Sequence, residues 1–397
     1  MAQNTSAAHT DVVVIGGGYA GTMAANRLTR RDDVTITLIN PRPQFVERVR
    51  LHQLVGGTHD AVHDLAAVLS PRVRLVVDTA VRIDAAARSV ELASGRMVHY
   101  DYLVYAAGSS GAQPSVPGAA ELAYPLSTLE DAQRARAAVD ALPAAAAVTV
   151  VGAGPTGIET AAELAEQGRH VTLVCGGQLG PYLEAPARRA VRDRLRSLGA
   201  AVLDGAGTRA AAVGAAVVRL EDGREVASDA TLWTAGFAVP DLAARSGLST
   251  DAAGRLLTDE TLTSVDDPRI VAAGDCASPS GAPYRMSCQV AVPLGTLAAD
   301  AVSARIAGRA PKATAPGFVG QCLGLGRHLA VYQFASRDDR ATTAYVAGRA
   351  AAILKESGSG FAYWSLVFEG KRPGLMNWVP FKDGRRQVLL ESARVSA

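Results

Sequence analysis

Two stretches of the chain share one pattern of apolar and polar positions. VTITLI at 34–39 follows DVVVI at 11–15, and the residues between these β-branched runs place apolar side chains at helical spacing. VTLV at 171–174 follows AVTVV at 147–151 with a similar helical pattern between them. Each stretch predicts a strand–helix–strand unit, and Gly16 and Gly152 place the two units 136 residues apart (152 − 16).

The residues outside the two units predict further strands and helices. Ser127 and Thr128 precede a helical pattern that runs to about Leu142, with Asp131 in its first turn. A second long helix is predicted from about Ser287 to Ala307. The other predictions are short strands over 72–105, a proline- and glycine-rich crossover over 114–125, strands and hairpin turns over 200–234, and a strand that enters a turn over 269–277.

Composition and charge exclude several classes of protein. Of the 397 residues, 48% are hydrophobic and 20% are charged, which excludes a disordered chain. Forty Lys and Arg face 38 Asp and Glu, so the net charge of +2 argues against nucleic acid as a partner. The four cysteines form no CxxC pair, which argues against a disulfide framework and against a metal site. The first ten residues lack an apolar leader, and the sequence has no uncharged run of about 18 residues. We therefore expect a cytoplasmic protein that does not insert into the membrane.

Gly16, Gly18 and Gly21 form a G-x-G-x-x-G motif between the first strand and its helix. In dinucleotide-binding folds the first glycine permits a tight turn, the second lets the backbone approach a pyrophosphate, and the third lets helix and strand pack closely. The motif predicts a dinucleotide site, and the alternative is an ordinary glycine-rich turn. Asn40 stands where an acid usually grips the ribose, and it is expected either to contact the ribose or to serve as a turn residue before Pro41.

Gly152, Gly154 and Gly157 form a second motif of the same kind. Two such motifs in one chain predict two dinucleotides, as in an enzyme that holds FAD and uses NAD(P)H. The strand after the second motif ends at Cys175 without an acid that would repel a 2′-phosphate. Arg188 and Arg189 could lie within reach of such a phosphate, so the choice between NADH and NADPH stays open.

The order of the motifs GGGYAG, AAG at 106–108, GAGPTGIETAAEL and AAGDCA resembles the FAD-dependent pyridine nucleotide–disulfide oxidoreductase superfamily. GPTGIE together with SCQVAVPLG is most similar to its type II NADH dehydrogenase branch. The resemblance implies an α/β fold with two Rossmann-like dinucleotide-binding domains and a smaller C-terminal α+β domain. The FAD domain would be split into residues 1–116 and 245–312, with the NAD(P)H domain over 117–244 and the C-terminal domain over 313–397.

The resemblance also assigns roles to individual residues. Asp275 would hold the ribityl and diphosphate region of FAD, and Cys288 and Gln289 would start the helix that faces the flavin. Glu159 would lie beside the nicotinamide and the flavin; without the resemblance it is an ordinary first-turn helix acid. The remaining residues of the implied cofactor sites are Tyr19, Ala20, Arg42, Arg48, Ala107, Gly108, Pro155, Thr156, Gly236, Gly274 and Val290.

The sequence departs from the superfamily at two places. The stretch ERVRLHQLVGG at 47–57 lacks the cysteine pair of the disulfide reductases, which excludes a dithiol relay, and Cys288 with Cys322 lacks the spacing of a sulfide-oxidising pair. The quinone-linked branch has two glutamines in A-Q-x-x-x-Q, whereas this chain keeps Gln289 but has Pro293 at the second position. The electron acceptor is therefore not fixed by the motif.

His52 lies in the same stretch and is the one histidine expected near the flavin. It is either a proton donor to the reduced acceptor or a structural histidine. Residues 361–381 hold six aromatic side chains, with Lys371, Arg372 and Lys382 among them or next to them, and Pro373, Gly374 and Pro380 are expected to break a long helix. This segment is expected to be a lid, a homodimer contact or a peripheral membrane contact.

The function predicted from these features is hydride transfer from NAD(P)H to FAD, followed by transfer of two electrons to a quinone-like acceptor. Two alternatives stay open. One is a soluble tailoring reductase or oxidase that acts on another small metabolite. The other is an electron-transfer reductase of a partner protein.

Overall fold

The computed structural model describes residues 9–313, 315–378, 381 and 383–395. The expectation for the first ten residues, apart from positions 9 and 10, and the expectations for Pro380 and Lys382 lie outside the described residues. The strands are β1 (Thr10–Ile15), β2 (Val34–Asn40), β3 (Gln44–Val46), β4 (Val62–Asp64), β5 (Val73–Val77), β6 (Ala80–Asp84), β7 (Ser89–Leu92), β8 (Met97–His99), β9 (Tyr102–Tyr105), β10 (Ala123–Pro125), β11 (Ala147–Val151), β12 (His170–Val174), β13 (Ala201–Leu203), β14 (Ala210–Val213), β15 (Val217–Leu220), β16 (Glu225–Ala227), β17 (Ala230–Trp233), β18 (Leu256–Thr258), β19 (Ile270–Ala272), β20 (Ala277–Pro279), β21 (Gly320–Gly324), β22 (Ala330–Ala335) and β23 (Ala341–Gly348).

The helices connect these strands. They are α1 (Tyr19–Leu28), α2 (Leu51–Val55), α3 (Leu65–Val68), α4 (Ala119–Leu122), α5 (Leu129–Ala141), α6 (Pro155–Glu166), α7 (Ala185–Ser197), α8 (Leu242–Arg245), α9 (Cys288–Ile306), α10 (Arg349–Lys371) and α11 (Gly384–Val395), with short 3₁₀ turns at Arg48–Arg50 and Gly274–Cys276. The predicted capping of α5 is confirmed, because the Thr128 hydroxyl accepts the Asp131 N–H and the Asp131 carboxylate accepts the Thr128 N–H.

The first parallel sheet has the strand order β19-β9-β1-β2-β5. Val14 of β1 pairs with Leu38 of β2 on one side and with Val104 of β9 on the other. Val271 of β19 pairs with Val104, so the chain returns to this sheet about 165 residues after it leaves β9. These strands are buried on both faces, which explains their β-branched runs.

The second parallel sheet has the order β10-β17-β11-β12-β13. Its first strand, β10, lies in the segment predicted as a crossover. The short sheets β6-β7-β8 and β14-β15-β16 are antiparallel, as is the C-terminal sheet β21-β22-β23. The predicted mixed α/β fold with two parallel sheets is confirmed, and the domain boundaries stay predictions.

Helix α1 packs tightly against α9 and α10. A Cβ atom at Gly295 of α9 would lie 2.2 Å from the Ala20 carbonyl oxygen, so only glycine allows the two helices to approach this closely. All ten residues of α1 are buried. The glycine loop that precedes α1 is therefore held in a rigid position by packing on several sides.

Candidate active site

The first glycine loop joins the end of β1 to the start of α1. A Cβ atom at Gly16 would lie 2.2 Å from the Ala106 carbonyl oxygen, and one at Gly21 would lie 1.9 Å from the Gly16 carbonyl oxygen. Apart from its neighbours in the chain, a Cβ atom at Gly18 would meet no atom of the described residues within 4 Å. Packing thus requires the outer two glycines, whereas Gly18 faces open space of the kind that a pyrophosphate would fill at the N-terminus of a helix.

The second glycine loop, between β11 and α6, repeats this arrangement. A Cβ atom at Gly152 would lie 2.5 Å from Thr234 Oγ1, and one at Gly157 would lie 2.0 Å from the Gly152 carbonyl oxygen. Gly154 again faces open space. The backbone at both loops therefore fits a dinucleotide pyrophosphate, and Pro155 and Thr156 start the helix beside the second space.

Asn40 at the end of β2 ties the first glycine loop in place. Its Oδ1 accepts the Gly17 N–H at 2.9 Å, and its Nδ2 donates to the Arg42 carbonyl at 2.6 Å. The Arg42 guanidinium forms an ion pair with Glu130 of α5 at 2.7 Å. Asn40 is thus a structural residue of the loop, and its contact with a ribose stays a prediction.

Arg48, Ser109 and Asp275 meet at the carboxyl edge of the first sheet. Arg48 Nη1 donates to the Ser109 carbonyl at 2.8 Å and to its hydroxyl at 2.7 Å, and that hydroxyl donates to Asp275 Oδ2 at 2.6 Å. Burial lowers the pKa of Arg48, and Asp275 opposes this effect. Three separate segments therefore place a cation, a hydroxyl and a carboxylate where hydroxyls and phosphates of a cofactor could bind. Ser109 is missing from the predicted set, although it directly follows the predicted Ala107 and Gly108.

The start of α9 holds the next predicted group of residues. Gln289 Oε1 accepts the Val319 N–H at 3.4 Å, and Val290 is buried. Burial raises the pKa of the Cys288 thiol to about 11 and that of the Cys322 thiol to about 12. Both thiols are protonated at neutral pH, and a protonated thiol is a poor nucleophile.

Glu159 of α6 lies in a buried cluster that three parts of the chain build together. Its Oε1 is 2.6 Å from Lys355 Nζ of α10 and accepts the Gly324 N–H of β21 at 2.7 Å. Its Oε2 is 3.6 Å from Nδ1 of His52 on α2. Only 7% of Glu159 is exposed. Whether Glu159 contacts the nicotinamide stays a prediction.

Glu159 and His52 each have one protonation state at neutral pH. Burial alone would raise the pKa of Glu159, but Lys355, His52 and the Gly324 N–H together lower it below its ordinary value. Burial lowers the pKa of His52 to about 4, so the imidazole is neutral. Lys355 Nζ lies 3.4 Å from His52 Nε2, and because an ammonium group only donates, we assign the ring proton to Nδ1, which faces Glu159.

Sequence reasoning did not find Lys355 or Gly324. One signal for Lys355 exists, because it is one of only four lysines among the 40 basic residues of the chain. In a sequence whose basic residues are almost all arginine, a lysine suggests a position where a compact ammonium group is needed. Gly324 contributes only its backbone N–H, which no sequence pattern marks.

The aromatic residues of the C-terminal segment lie largely on α10. Phe361, Trp364 and Phe368 are exposed along this helix, whereas the Tyr363 ring stacks on His63 with 4.0 Å between centroids. α10 spans 23 residues and ends before Pro373, so the expectation that proline and glycine break a long helix over 361–381 holds only beyond Lys371. Within the described parts of the chain, none of the helices has the length and apolar character needed to span a bilayer. A lid, a dimer contact and a membrane contact stay predictions for this segment.

Comparison with known proteins places the chain among flavin-linked enzymes. The family described as pyridine nucleotide-disulphide oxidoreductase matches residues 10–295. An NADH dehydrogenase-like protein of Mycobacterium tuberculosis is 33% identical over 321 residues, which cover 73% of this chain and 79% of the relative. The type II NADH:quinone oxidoreductase of the same organism is 26% identical over 348 residues, which cover 77% of this chain and 74% of that protein.

A solved structure shares the fold at lower identity. The sulfide:quinone oxidoreductase of Aquifex aeolicus superposes with a TM-score of 0.77 at 21% identity, over 92% of this chain and 93% of that one. This likeness bears on the fold alone. The matched family covers most of the chain and includes both glycine loops, and the first relative covers 73% of the chain. The chain belongs to the pyridine nucleotide-disulphide oxidoreductase family, whose cofactors are FAD and a pyridine nucleotide, as the two motifs predict.

Proposed function

We propose that the chain transfers hydride from NAD(P)H through FAD to a quinone-like acceptor. The observation that carries this proposal is the buried contact of Glu159 with His52 and Lys355. Glu159 belongs to α6, the helix that follows the second glycine loop, whereas His52 belongs to α2, which lies along the chain between β2 and β5 of the first sheet. The contact therefore joins the part of the chain expected to bind NAD(P)H to the part expected to bind the flavin. Lys355 brings a third segment, α10, to the same place. A type II NADH:quinone oxidoreductase among the relatives supports a quinone as the acceptor.

FAD, when bound, supplies the two-electron chemistry that side chains lack. The residues of this chain bind and orient it. Gly18 lets the backbone approach a pyrophosphate, and the linked groups of Arg48, Ser109 and Asp275 offer donors and acceptors to the sugar and phosphate region. Gly154 gives the pyridine nucleotide the same close approach at the second loop.

Two groups are assigned to the reacting end of the site. The Glu159–Lys355 pair is proposed to hold the nicotinamide side in a fixed, water-poor position, because a buried ion pair with a backbone hydrogen bond has little freedom to move. Gln289 at the start of α9 is proposed to face the acceptor. The His52 imidazole is neutral at neutral pH, and its role as a proton donor to the reduced acceptor stays a prediction.

The first test is an absorbance spectrum of the purified protein, followed by anaerobic titration with NADH and NADPH. Flavin bands that bleach on addition of either nucleotide would support the proposal. Turnover with a small water-soluble quinone then separates the alternatives. Bleaching followed by reoxidation with small quinones supports a quinone-like acceptor, whereas bleaching without such reoxidation would favour a partner protein or another metabolite.

We expect Glu159→Ala to slow flavin reduction by NAD(P)H, and Gln289→Ala to slow mainly reoxidation by quinone. A displacement of the nicotinamide by about 1 Å can reduce the rate by roughly 100-fold. Glu159→Gln keeps an acceptor for the Gly324 N–H and should have a smaller effect. Stopped-flow measurement of the two half-reactions distinguishes the variants.

Glu166→Gln is the matched control, because Glu166 lies on the same helix but outside the cluster. Its carboxylate forms an ion pair with Arg194 at a distance of 2.9 Å. Glu166→Gln should reduce at the wild-type rate. If Glu159→Ala also reduces at that rate with unchanged nucleotide affinity, the proposed position of Glu159 is wrong. If Gln289→Ala reoxidises normally, the acceptor binds elsewhere or is not a quinone.

A further inference from the structure

A surface cavity of about 440 Å³ opens just beyond the end of β12. Strand β12 is the second strand of the unit that contains the Gly152 loop. In dinucleotide-binding folds the residue at the end of this strand lies beside the ribose of the adenosine half. The cavity is lined by Gly177, Gln178, Arg192, Asp204, Gly205 and Ala206. Its position therefore corresponds to the adenosine end of a bound pyridine nucleotide.

The residue at the end of β12 is Cys175, which brings no charge to this place. The Cys175 N–H donates to the Leu203 carbonyl at 2.9 Å, so the ends of β12 and β13 lie side by side. Asp204 follows Leu203 directly, and it adds to the burial effect that raises the pKa of the Cys175 thiol to about 12. The neighbouring strand thus provides a carboxylate close to the position where β12 has none.

Asp204 does not stand alone, because it forms an ion pair with Arg192 of α7. The side chains are 29% exposed for Arg192 and 19% exposed for Asp204, so a ligand in the cavity can reach both. A guanidinium group has five N–H donors, and the hydrogen bond from Nη2 to Asp204 uses one of them. Arg192 can therefore bind a second anion, and arginine is well suited to phosphate.

The two arginines that the sequence placed near a 2′-phosphate are arranged differently. Arg188 donates to the carbonyl groups of Gly180 and Leu183, so it is committed to the loop that precedes α7. Arg189 is exposed and does not line the cavity. Of the arginines on α7, Arg192 is the one that the structure places on the wall of the cavity.

We infer that this cavity binds the adenosine 2′ position of the nucleotide, and that Arg192 and Asp204 together set the choice between NADH and NADPH. Asp204 accepts a hydrogen bond from a 2′-hydroxyl, and Arg192 donates to a 2′-phosphate. Asp204 favours NADH and Arg192 favours NADPH. Because the two effects oppose each other, the wild-type protein accepts both nucleotides. This inference rests on the proposed use of NAD(P)H, but it does not depend on the acceptor.

The test is calorimetric titration of the purified flavoprotein with 5′-AMP and with 2′,5′-ADP, which differ only in the 2′-phosphate. We expect Arg192→Gln to weaken binding of 2′,5′-ADP by about tenfold or more while binding of 5′-AMP changes little, because a hydrogen bond to a charged group is lost. Asp204→Asn should strengthen binding of 2′,5′-ADP severalfold, since it removes the nearby negative charge. Cys175→Glu adds an acid and should weaken it.

Arg189→Gln is the matched control, because it removes the same charge from the same helix and should leave the ratio of the two dissociation constants unchanged. Both probes are titrated into one preparation, so a loss of folded protein alters the stoichiometry rather than this ratio. An unchanged ratio in Arg192→Gln and Asp204→Asn would overturn the inference, as would an equal effect of Arg189→Gln. Failure of either probe to bind would also overturn it, whereas the proposed function is judged separately by flavin reduction with NADH.

Discussion

Gly18→Ala should remove FAD from the protein while the fold survives, and Gly21→Ala should instead prevent stable folding. The backbone of Gly18 is extended, with φ −83° and ψ −166°, so alanine fits it without strain. Its methyl group would enter the open space proposed for the pyrophosphate. Overpacking costs roughly 1–3 kcal/mol, which weakens FAD binding by roughly 5- to 140-fold. At Gly21 the same methyl group would lie 1.9 Å from a backbone oxygen, which costs about 3 kcal/mol or more of folding stability.

The second glycine loop provides the matched pair. Gly154→Ala should keep FAD and lose affinity for NAD(P)H, whereas Gly157→Ala should behave like Gly21→Ala. The flavin released per protein chain on denaturation, circular dichroism and nucleotide titration measure the three effects. If Gly18→Ala keeps a full complement of FAD, the open space above Gly18 is not the pyrophosphate site.

Lys355→Met should destabilise the protein by about 3–5 kcal/mol near pH 7.5, because it leaves the buried carboxylate of Glu159 without its cation. In the wild-type protein the pKa of Glu159 is lowered by its partners. Its ionised form therefore adds stability above the ordinary pKa of about 4.3, and this contribution is lost as the pH falls through the folded-state pKa. Without Lys355, burial raises the pKa of Glu159. The contribution of Glu159 to folding stability is then present below about pH 4.3 and is lost as the pH rises.

The destabilisation by Lys355→Met should consequently grow between pH 5 and pH 8. The folded-state pKa of His52 is about 4, and its titration in the unfolded state is common to both proteins and cancels in the difference between them, so the change in that difference is assigned to Glu159. Denaturant unfolding of the flavin-loaded protein at several pH values measures it. The double variant Lys355→Met/Glu159→Gln should recover most of the stability and lose the pH dependence. Lys371→Met, on the same helix but exposed, is the control; equal stability of Lys355→Met and Lys371→Met over this range would refute the proposed dependence.

Local patterns in the sequence determined both strand–helix–strand units, the glycine loops and the capping of α5. These features depend on residues close together in the chain: alternation sets the strands, and a glycine is needed wherever a Cβ atom would strike the adjacent turn. Helix α9 was predicted within about one residue at each end for the same reason. The family, and with it the cofactors, followed from the order of these local motifs.

The long helix α10 was missed because its sequence is locally ambiguous. Gly358 and Gly360 lower its helix propensity, and the prolines beyond it suggested irregular structure. Tertiary packing decides the outcome, because α10 lies against α1 and β22 and buries Ala362 and Leu366 in the core. A favourable packed face outweighs a weak propensity.

The partners of the charged and polar groups were decided by the tertiary structure alone. Glu159 and Lys355 are 196 residues apart (355 − 159), and their contact exists only because α10 packs against β21, the strand that carries Gly324. Likewise, the acid absent at Cys175 is provided by Asp204, because two parallel strands end side by side. A sequence pattern reports what a short stretch of backbone can do. Which distant side chain neutralises a buried charge depends on how separate segments pack, and that is set by the whole fold.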